Sequence, residues 1–313
     1  MTNQDNKPNN KLKKADWSIG SDRPQEKNWK NPTSDNTRQK SVKESPKQTD
    51  RNNNQSNNKP YYSPANIGWL YYKDYYYGID FKPDQKKDVF KNVFQNKNEV
   101  IMAQSLTQYS EEVKALEMDF DGLQSFELET QYPGLVTGLG TMHETSYDGE
   151  YKLGFQFDYT TGLPIIPGSS VKGVLRFAFK KSPEYEYIKY LIQNLPNLES
   201  PVQDISALEK EIFDGEGLKP YQRDVFLDAV IISSKNKEGK FIADDFITPH
   251  PNEFKDPIPL QFLKILPQVV FRFQFRLSDG LLTAVEKRNL FEQILKDLGI
   301  GAKTNVGYGK FKN

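Results

Sequence analysis

The clearest hydrophobic pattern in the chain lies in residues 269–277, where apolar and polar positions alternate. A period of two is typical of a strand with one buried face. Residues 123–130 alternate in the same way, and the nearly continuous apolar run at 224–233 is typical of a buried strand. A further alternation at 152–159 predicts a hairpin arm or a sheet edge.

Helical periodicity is strongest directly after Ser169 and Ser170, either of which is a suitable N-cap. Five apolar side chains then form one stripe that faces a core: Val171, Val174, Leu175, Ala178 and Phe179. Residues 281–298 predict a second amphipathic helix. It ends at Gly299, a residue type favoured after a helix C-terminus.

Weaker helical patterns occupy two other regions. Residues 84–117 predict two helices separated by a break near 96–98, and two more segments are predicted around 185–193 and 205–213. Residues 246–267 are punctuated by prolines, which predicts a loop.

The order strand, insertion, helix, helical insertion, strand, strand, helix, strand predicts an α+β fold. Its core would be ferredoxin-like or RRM-like, βαββαβ, with an antiparallel four-stranded sheet and two helices on one face. The insertions are residues 131–168 and 183–220. We expect one domain over residues 61–313 and a disordered tail over residues 1–60.

The tail differs from the rest of the chain in composition and charge. Residues 1–60 carry 13 basic and 7 acidic side chains and few large apolar groups besides Trp17 and Trp29. So little apolar surface cannot offset the entropy of ordering the chain. The whole chain has 42 charges of each sign, which leaves a net charge of −6 on residues 61–313. A body of that charge would bind nucleic acid through local patches and shape.

Cysteine is absent, which excludes disulfides and thiolate metal sites. No apolar run approaches the roughly 18 residues of a membrane helix, and the chain begins with polar residues rather than a signal sequence. We therefore expect a cytoplasmic protein without a membrane partner.

Residues 61–77 are rich in tyrosine and contain Trp69. Such rings can stack on unpaired bases, which contributes about 1–3 kcal/mol per base. Tyrosine and tryptophan are also enriched where protein surfaces pack together. We favour the packing interpretation.

The start of the helix after residue 168 has features of an anion site. Pro164 and Pro167 keep the approach extended, and the free N–H groups of a helix N-terminus attract anions. The spacing differs from that of a nucleotide-binding P-loop. The candidate phosphate contacts are Ser169, Ser170, Lys172 and Arg176. Alternatively, these residues are the cap and the solvated side chains of an ordinary core helix.

A glycine-rich loop follows residues 281–298 and leads into a short last strand. It follows a helix and closes the chain, which argues against a dinucleotide-binding fingerprint. Glycine N–H groups and ammonium groups can line a backbone phosphate, and a glycine-rich turn without a ligand is the alternative. The candidate contacts are Gly299, Gly301, Lys303, Asn305, Gly307 and Gly309, with Lys310 beside them.

Arg272 and Arg276 lie on the polar face of the strand at 269–277, about 7 Å apart along it. Two guanidinium groups at that spacing suit contacts with the phosphates or bases of RNA. Pairing with Glu127 or Glu129 on a neighbouring strand is the alternative.

The string Ile-Pro-Gly-Ser-Ser-Val-Lys-Gly-Val-Leu-Arg at 166–176 resembles a signature of the RAMP superfamily, and the glycine-rich loop resembles the second signature of that family. The Asn-Ile-Gly-Trp-Leu stretch at 66–70 and Thr-Pro-His at 248–250 resemble the family of the sixth RAMP subunit of type III-B (Cmr) CRISPR complexes.

This resemblance implies a non-catalytic RNA-binding subunit of an antiviral ribonucleoprotein. The subunit would cap the filament of backbone subunits and hold the crRNA toward its 3′ end. Its partners would be crRNA, target RNA, the backbone RAMP, the small helical subunit and a second capping RAMP. The two signature segments would contact the guide.

A metal-independent endoribonuclease that processes CRISPR RNA is the alternative function. His143, one of two histidines, is the candidate for its general base, assisted by Tyr147 or a lysine. Asp148 lacks the neighbouring carboxylates that would hold a divalent cation. We expect no catalytic activity, no cofactor and no metal site.

Overall fold

An antiparallel sheet forms the centre of the fold. The computed structural model describes residues 65–82, 84–138, 143, 145, 147–181, 183–194, 202–248 and 259–313. Its strands are β1 (Leu123–Thr130), β2 (Ile165–Ile166), β3 (Val225–Phe226), β4 (Ala229–Ser234), β5 (Ile242–Ile247), β6 (Leu260–Ile265), β7 (Val269–Arg276) and β8 (Phe311–Lys312). Its α-helices are α1 (Ile67–Tyr72), α2 (Lys91–Met102), α3 (Ser110–Ala115), α4 (Gly168–Lys180), α5 (Glu186–Asn194), α6 (Ile205–Asp214) and α7 (Ala284–Leu298).

The main sheet has the strand order β2-β4-β7-β1-β8, and β3 also pairs with β7. Each of these pairings is antiparallel. The strands predicted at 123–130 and 269–277 are confirmed as β1 and β7. Phe126 of β1 lies opposite Phe273 of β7, and their rings stack with centroids 5.4 Å apart. Fully burying one such ring stabilises the fold by about 1.5–3 kcal/mol.

The two long amphipathic helices supply apolar faces to the core. α4 contacts α7 and β3, while α7 contacts β1 and β8. The Phe291 ring of α7 lies 5.4 Å from the Phe275 ring of β7. The buried residues of these helices include Val171, Leu175, Ala178 and Phe179 in α4 and Leu290, Phe291, Ile294 and Leu295 in α7. The predicted mixture of helices with an antiparallel sheet is therefore confirmed.

α4 begins earlier than the serine N-caps predict. The backbone N–H of Gly168 donates to Oδ1 of Asp228, 2.7 Å away, so a carboxylate from another segment caps the helix. Ser169 and Ser170 therefore lie exposed in its first turn. The N-cap prediction is wrong because the capping group comes from a residue distant in sequence.

α2 runs without interruption through residues 96–98, where the polar composition predicts a break. Asn98 explains the difference, because its side chain is buried and hydrogen-bonded. Its Oδ1 accepts from the Tyr75 hydroxyl at 2.6 Å, and its Nδ2 donates to the Gly149 carbonyl at 2.8 Å. A polar residue with its partners in place can lie in a helix on the core side. The helix ends instead at Met102.

Two strand predictions are corrected by the structure. The run at 224–233 is divided into β3 and β4, because Asp228 turns away from the ladder to cap α4. Residues 246–267, predicted as a loop, contain β6, which pairs with β5 in a separate two-stranded sheet. Residues 249–258, which include most of the Thr-Pro-His segment, lie outside the described residues.

Residues 152–159 form no regular strand within the described chain. Phe157 makes an isolated antiparallel bridge with Pro164. Beside it, the N–H of Asp158 donates to the Leu163 carbonyl at 2.8 Å and the N–H of Ile165 donates to the Gln156 carbonyl at 3.2 Å, a short pairing that fits the predicted hairpin arm. The Tyr71 hydroxyl also donates to the carbonyl of Leu153.

The aromatic stretch at 61–77 packs inside its own fold where it is described. Tyr71 and Tyr75 are fully buried, whereas Trp69 and Tyr77 are 52% and 81% exposed. The tail predicted at residues 1–60 lies outside the described residues, as do Tyr61 and Tyr62. No helix in the described part of the chain has the length and apolarity to span a membrane.

A buried ion pair joins α7 to the segment before β3. Lys287 Nζ lies 2.8 Å from Asp224 Oδ2, and neither side chain has exposed surface. The ammonium also donates to the Ser278 carbonyl at 2.9 Å and lies 3.5 Å from Glu211 Oε1. These contacts fix α7 relative to α6 and β3, and thus fix the start of the glycine-rich loop.

Candidate nucleic-acid interface

The first turn of α4 is held by a close approach of backbone to backbone. A Cβ on Gly168 would overlap the carbonyl oxygen of Phe226, so glycine lets α4 start directly against β3. The cap by Asp228 adds a second constraint. With the apolar stripe buried, Phe177 and Lys181 remain on the outer side of the helix.

The glycine-rich loop after α7 is docked by main-chain hydrogen bonds. The N–H of Gly309 donates to the Gly134 carbonyl at 2.8 Å, and the N–H of Ile300 donates to the Gly309 carbonyl at 2.9 Å. The N–H of Ala302 donates to the Val136 carbonyl at 2.9 Å. Gly309 adopts φ +72°, a conformation that favours glycine. The loop is thus built onto the segment that follows β1.

The outer side of α4 and the glycine-rich loop line one cavity of about 330 Å³, which we call the α4–loop cavity. Its lining includes Val174, Phe177 and Lys181 from the α4 side and Gly299, Gly301 and Asn305 from the loop. Two segments far apart in the chain therefore meet, and the cavity is the place where one ligand could contact both.

Positive charge at the α4–loop cavity comes from Lys181 and Lys310, which both line it. Lys310 Nζ donates to the carbonyl of Leu298 at 2.8 Å, and this bond holds the ammonium near the C-terminus of α7. Lys181 Nζ lies 5.4 Å from the centre of the Tyr187 ring. An anion in the cavity would therefore meet two ammonium groups.

Asp297 also lines the cavity, but its carboxylate is already engaged by protein donors. Its Oδ2 accepts from the Tyr187 hydroxyl and its Oδ1 from Nε2 of Gln293, each at 2.8 Å. Burial and the neighbouring carboxylate raise the pKa of Tyr187, so that its hydroxyl stays protonated and continues to donate.

The loop also offers backbone donors. Across the described residues, the N–H groups of Gly301 and Thr304 find no protein acceptor, and both residues line the cavity. Unpaired N–H groups in a glycine-rich turn attract anionic oxygen. Together with the two lysines, they suit a phosphodiester.

The four predicted contacts on α4 lie outside this lining. Lys172 Nζ lies 5.6 Å from the centre of the Phe226 ring. The Arg176 guanidinium donates to both carboxylate oxygens of Asp214 at 2.8 Å and to Glu209 Oε1 at 3.2 Å. The hydrogen bonds to Asp214, and then to Glu209, raise the pKa of Arg176. Arg176 thus already has carboxylate partners within the fold.

The predicted loop contacts divide into two groups. Gly299, Gly301 and Asn305 line the cavity. Lys303 Nζ instead lies 5.8 Å from the centre of the Phe262 ring, and Gly307, at φ +97°, closes the turn that follows Lys303. Gly309 makes the main-chain hydrogen bonds to Gly134 and Ile300 that hold the loop in place.

Arg272 and Arg276 have different surroundings. Arg272 Nη2 donates to Glu127 Oε1 at 3.0 Å, which is the pairing that the sequence left as an alternative. The Nε of Arg276 is buried without a partner among the described residues. Contact of either arginine with RNA stays a prediction.

Phe177 and Lys181 are absent from the residues predicted from the sequence. With Val174 they recur at i, i+3 and i+7, which places them on one side of the helix. A phenylalanine outside the buried stripe, followed one turn later by a lysine, is a usable signal for this site.

His143 lies in an aromatic cluster rather than in an open cleft. It is 7% exposed, and its ring stacks on Tyr71 and Tyr75 at centroid distances of 4.4 and 4.8 Å. Its Nδ1 lies 3.0 Å from the carbonyl of Tyr151, and burial lowers the pKa of its imidazole. Within the described chain, no cluster of three His, Cys, Asp or Glu side chains could hold a metal ion. The surroundings of His143 fit a core residue.

We expect acid to destabilise the protein through His143. The unfolded histidine binds a proton near pH 6.5, whereas the folded imidazole has a lowered pKa, so its contribution to stability is lost as pH falls below about 6.5. Between about pH 7.5 and 5.5 the free energy of unfolding should fall by at most about 1.4 kcal/mol per pH unit from this group. Urea unfolding at several pH values measures the slope.

His143→Phe should remove that part of the slope while keeping the stacked ring. Tyr77→Phe, a substitution at a ring that is 81% exposed, is the control and should leave the slope unchanged. An unchanged slope in His143→Phe would contradict the assignment.

A second, larger cavity of about 840 Å³ lies beside α1. Its lining is mainly aromatic and includes Trp69, Phe157 and Tyr159, and its charged residues are Lys73 and Asp158. One positive and one negative side chain give this cavity no net attraction for phosphate, whereas two lysines line the α4–loop cavity.

Comparison with known proteins decides the family. A model of the RAMP superfamily matches residues 127–312, a span that contains α4, the glycine-rich loop and the main sheet except for the first half of β1. This chain belongs to the RAMP superfamily. The resemblance inferred from the two signature segments is therefore confirmed.

Relatives of this RAMP include Cmr6 subunits of CRISPR systems. It is 30% identical to Cmr6 of Pyrococcus furiosus, over 56% of this chain and 64% of the relative, and 24% identical to Cmr6 of Saccharolobus solfataricus, over 73% and 72%. The chain thus spans less than two thirds of the length of the Pyrococcus relative. The predicted likeness to the sixth Cmr subunit is confirmed.

Solved structures that resemble this RAMP include a chain of the type III-B Cmr-β complex bound to cognate target RNA. The two share 24% identity with a TM-score of 0.46, over 76% of this chain and 78% of that chain. The crystal structure of Cmr6 from Pyrococcus furiosus gives 24% identity and a TM-score of 0.37, over 61% and 99%.

Proposed function

We propose that this RAMP is a non-catalytic RNA-binding subunit of a type III-B (Cmr) CRISPR complex, where it caps the backbone filament and holds the crRNA toward its 3′ end. The observation that carries the proposal is the α4–loop cavity, in which the helix that bears the first signature and the glycine-rich loop supply two ammonium groups and free backbone N–H groups. The proposed complex is a Cmr complex because the relatives are Cmr6 subunits of CRISPR systems.

The topology supports this arrangement. We interpret β1, α4, β4, β7, α7 and β8 as a ferredoxin-like βαββαβ core, with the sheet order β4-β7-β1-β8. In such a core the connection from the second helix to the last strand lies near the first helix. The glycine-rich loop is that connection, so its approach to α4 follows from the fold.

The chemistry of the cavity suits a single-stranded phosphate backbone. Phosphate contacts position a nucleic acid without reading its sequence, as a guide-holding subunit requires. Ser169 and Ser170, exposed in the first turn of α4, can extend the contact. We propose the backbone RAMP, the small helical subunit and a second capping RAMP as protein partners, and crRNA and target RNA as nucleic-acid partners.

Domain organisation and catalysis complete the proposal. Residues 61–313 would form one RAMP domain with insertions, preceded by a basic tail at 1–60. His143, the candidate general base, is buried among tyrosines where an RNA 2′-hydroxyl does not reach it. This burial favours the non-catalytic function over guide processing.

Reversal of one charge and removal of another at the cavity test RNA binding. We expect Lys181→Glu and Lys310→Gln each to weaken binding of a short single-stranded RNA by the full-length protein about tenfold, since a charge-assisted hydrogen bond contributes about 1.5–3 kcal/mol. The slope of log affinity against log salt should drop by about 0.7 for each lost phosphate contact. Fluorescence anisotropy over a salt series measures both quantities.

Lys237→Glu is the matched control, because its side chain is 93% exposed and lies outside the cavity lining. Equal losses in the control and the cavity variants would contradict the proposal. Unchanged RNA affinity in both cavity variants would place RNA elsewhere on the protein, and a wild type that assembles but binds no RNA would be a scaffold that touches only protein.

Sequencing of RNA that co-purifies with neighbouring subunits should yield short guides that share a repeat-derived handle.

A further inference from the structure

Phe177 is an unusual residue for the outer side of a helix. Its side chain is 60% exposed and lines the α4–loop cavity. An exposed phenylalanine gains little from folding, because most of its ring stays in water. Its neighbours on the same side, Val174 and Lys181, also line the cavity. The ring thus forms an apolar border to a site whose other parts attract anions.

We propose that Phe177 is a stacking platform for an unpaired nucleobase whose own phosphate lies in the α4–loop cavity. The inference rests on the proposed RNA-binding function. It adds a contact to the nucleobase, whereas the lysines contact only the phosphate. Base and phosphate are joined through a single ribose, so their binding groups must be near neighbours. Phe177 and Lys181, one helical turn apart, meet that requirement.

No other aromatic side chain of the described residues covers the Phe177 ring, whereas the neighbouring Phe179 is fully buried and packs edge-on against Phe213. A base could therefore cover Phe177 without displacing a protein side chain. Lys181, Lys310 and the free N–H groups would meanwhile hold the phosphate.

Stacking has a specific consequence for recognition. Every base has an aromatic face, so a ring that stacks accepts any base identity. A base must be unpaired and splayed out to reach a side chain, which favours single strands over A-form duplexes. We therefore expect the site to bind single-stranded RNA of any sequence and to discriminate against duplex RNA.

The test combines side-chain and RNA variants. Phe177→Ala in the full-length protein should lower affinity for a single-stranded RNA about 5- to 150-fold, which corresponds to the loss of one stacked base. Phe177→Trp should keep or raise the affinity, whereas Phe177→Leu should lose most of it. An RNA with an abasic nucleotide at the contact position should bind Phe177→Ala and the wild type equally.

Tyr190→Ala is the matched control, since Tyr190 is 63% exposed on α5 and lies outside the cavity lining. Its RNA affinity should stay at the wild-type value. Phe177 is mostly exposed, so its truncation leaves the core intact, and circular dichroism checks the fold.

The outcomes separate the two proposals. If Lys181→Glu weakens RNA binding but Phe177→Ala does not, the stacking inference is wrong and the proposed function stands. If the wild type binds no RNA, the proposed function itself fails. Loss of subunit assembly in Phe177→Ala with unchanged RNA affinity would show that a protein partner covers the ring, and would also overturn the stacking inference.

Discussion

Replacing Lys287 with methionine is expected to lower the free energy of unfolding by about 3–5 kcal/mol. The substitution removes the ammonium that lies 2.8 Å from Asp224 and leaves that carboxylate, which has no exposed surface, without its counter-ion. An uncompensated buried charge costs far more than the pair contributes when both partners are present. Urea unfolding followed by circular dichroism measures the change.

Lys296→Met in the same helix is the control. Lys296 pairs with Glu292 at 2.7 Å, one turn away near the surface, so its loss should cost about 0.5 kcal/mol or less. Adding Asp224→Asn to Lys287→Met should recover part of the loss, because the double variant no longer leaves the fully buried carboxylate of Asp224 without a counter-ion. Equal midpoints for the two lysine variants would contradict the buried-pair account.

The sequence predicts the helix that carries Lys287 but not the role of this lysine. In an amphipathic pattern a lysine is expected at the surface. Its partner Asp224 is far away in the chain, because strands β3 to β7 lie between the two residues. Arg176 behaves similarly, since Asp214 neutralises a guanidinium group that the sequence presents as free. The pairing of Arg272 with Glu127 was one of two alternatives, because strand alternation indicates neighbouring strands but does not decide between a carboxylate and RNA.

Local patterns do predict the parts of the fold that local periodicity determines. The alternation of phenylalanines gives β7, and the stripe from Val171 to Phe179 gives the buried face of α4. β6 was missed because prolines before it dominate the pattern of its region. The start of α4 was misplaced because Asp228, rather than a serine, provides the cap.

The candidate site could be predicted to the level of segments, but only partly to the level of residues. The helix that carries the first signature and the glycine-rich loop line one cavity, to which the string at 166–176 contributes Val174 and the loop contributes Gly299, Gly301 and Asn305. The side of α4 that faces the loop follows from helix packing. That packing turns Phe177 and Lys181 toward the cavity and leaves Lys172 beside Phe226.

Gly309→Ala is expected to disrupt the glycine-rich loop. Gly309 has φ +72°, and an added Cβ would overlap the carbonyl oxygen of Ile300. Relief of that overlap would break the hydrogen bonds that dock the loop onto Gly134 and Ile300. Backbone strain, overpacking and two lost hydrogen bonds add to about 3–5 kcal/mol. Urea unfolding measures the loss, and RNA affinity should fall with it because Gly301 and Asn305 would no longer be held.

Gly173→Ala is the matched control for this substitution. Gly173 lies inside α4, and a Cβ there would meet no atom within 4 Å. Alanine should therefore raise the free energy of unfolding by about 0.5–1 kcal/mol, since glycine disfavours the helix interior. The same chemical change thus has opposite effects on stability, because one glycine is required by its surroundings and the other is not. If Gly309→Ala unfolds at the wild-type urea concentration, the loop is not docked in the way that positions the cavity, and the proposed RNA contact loses its structural basis.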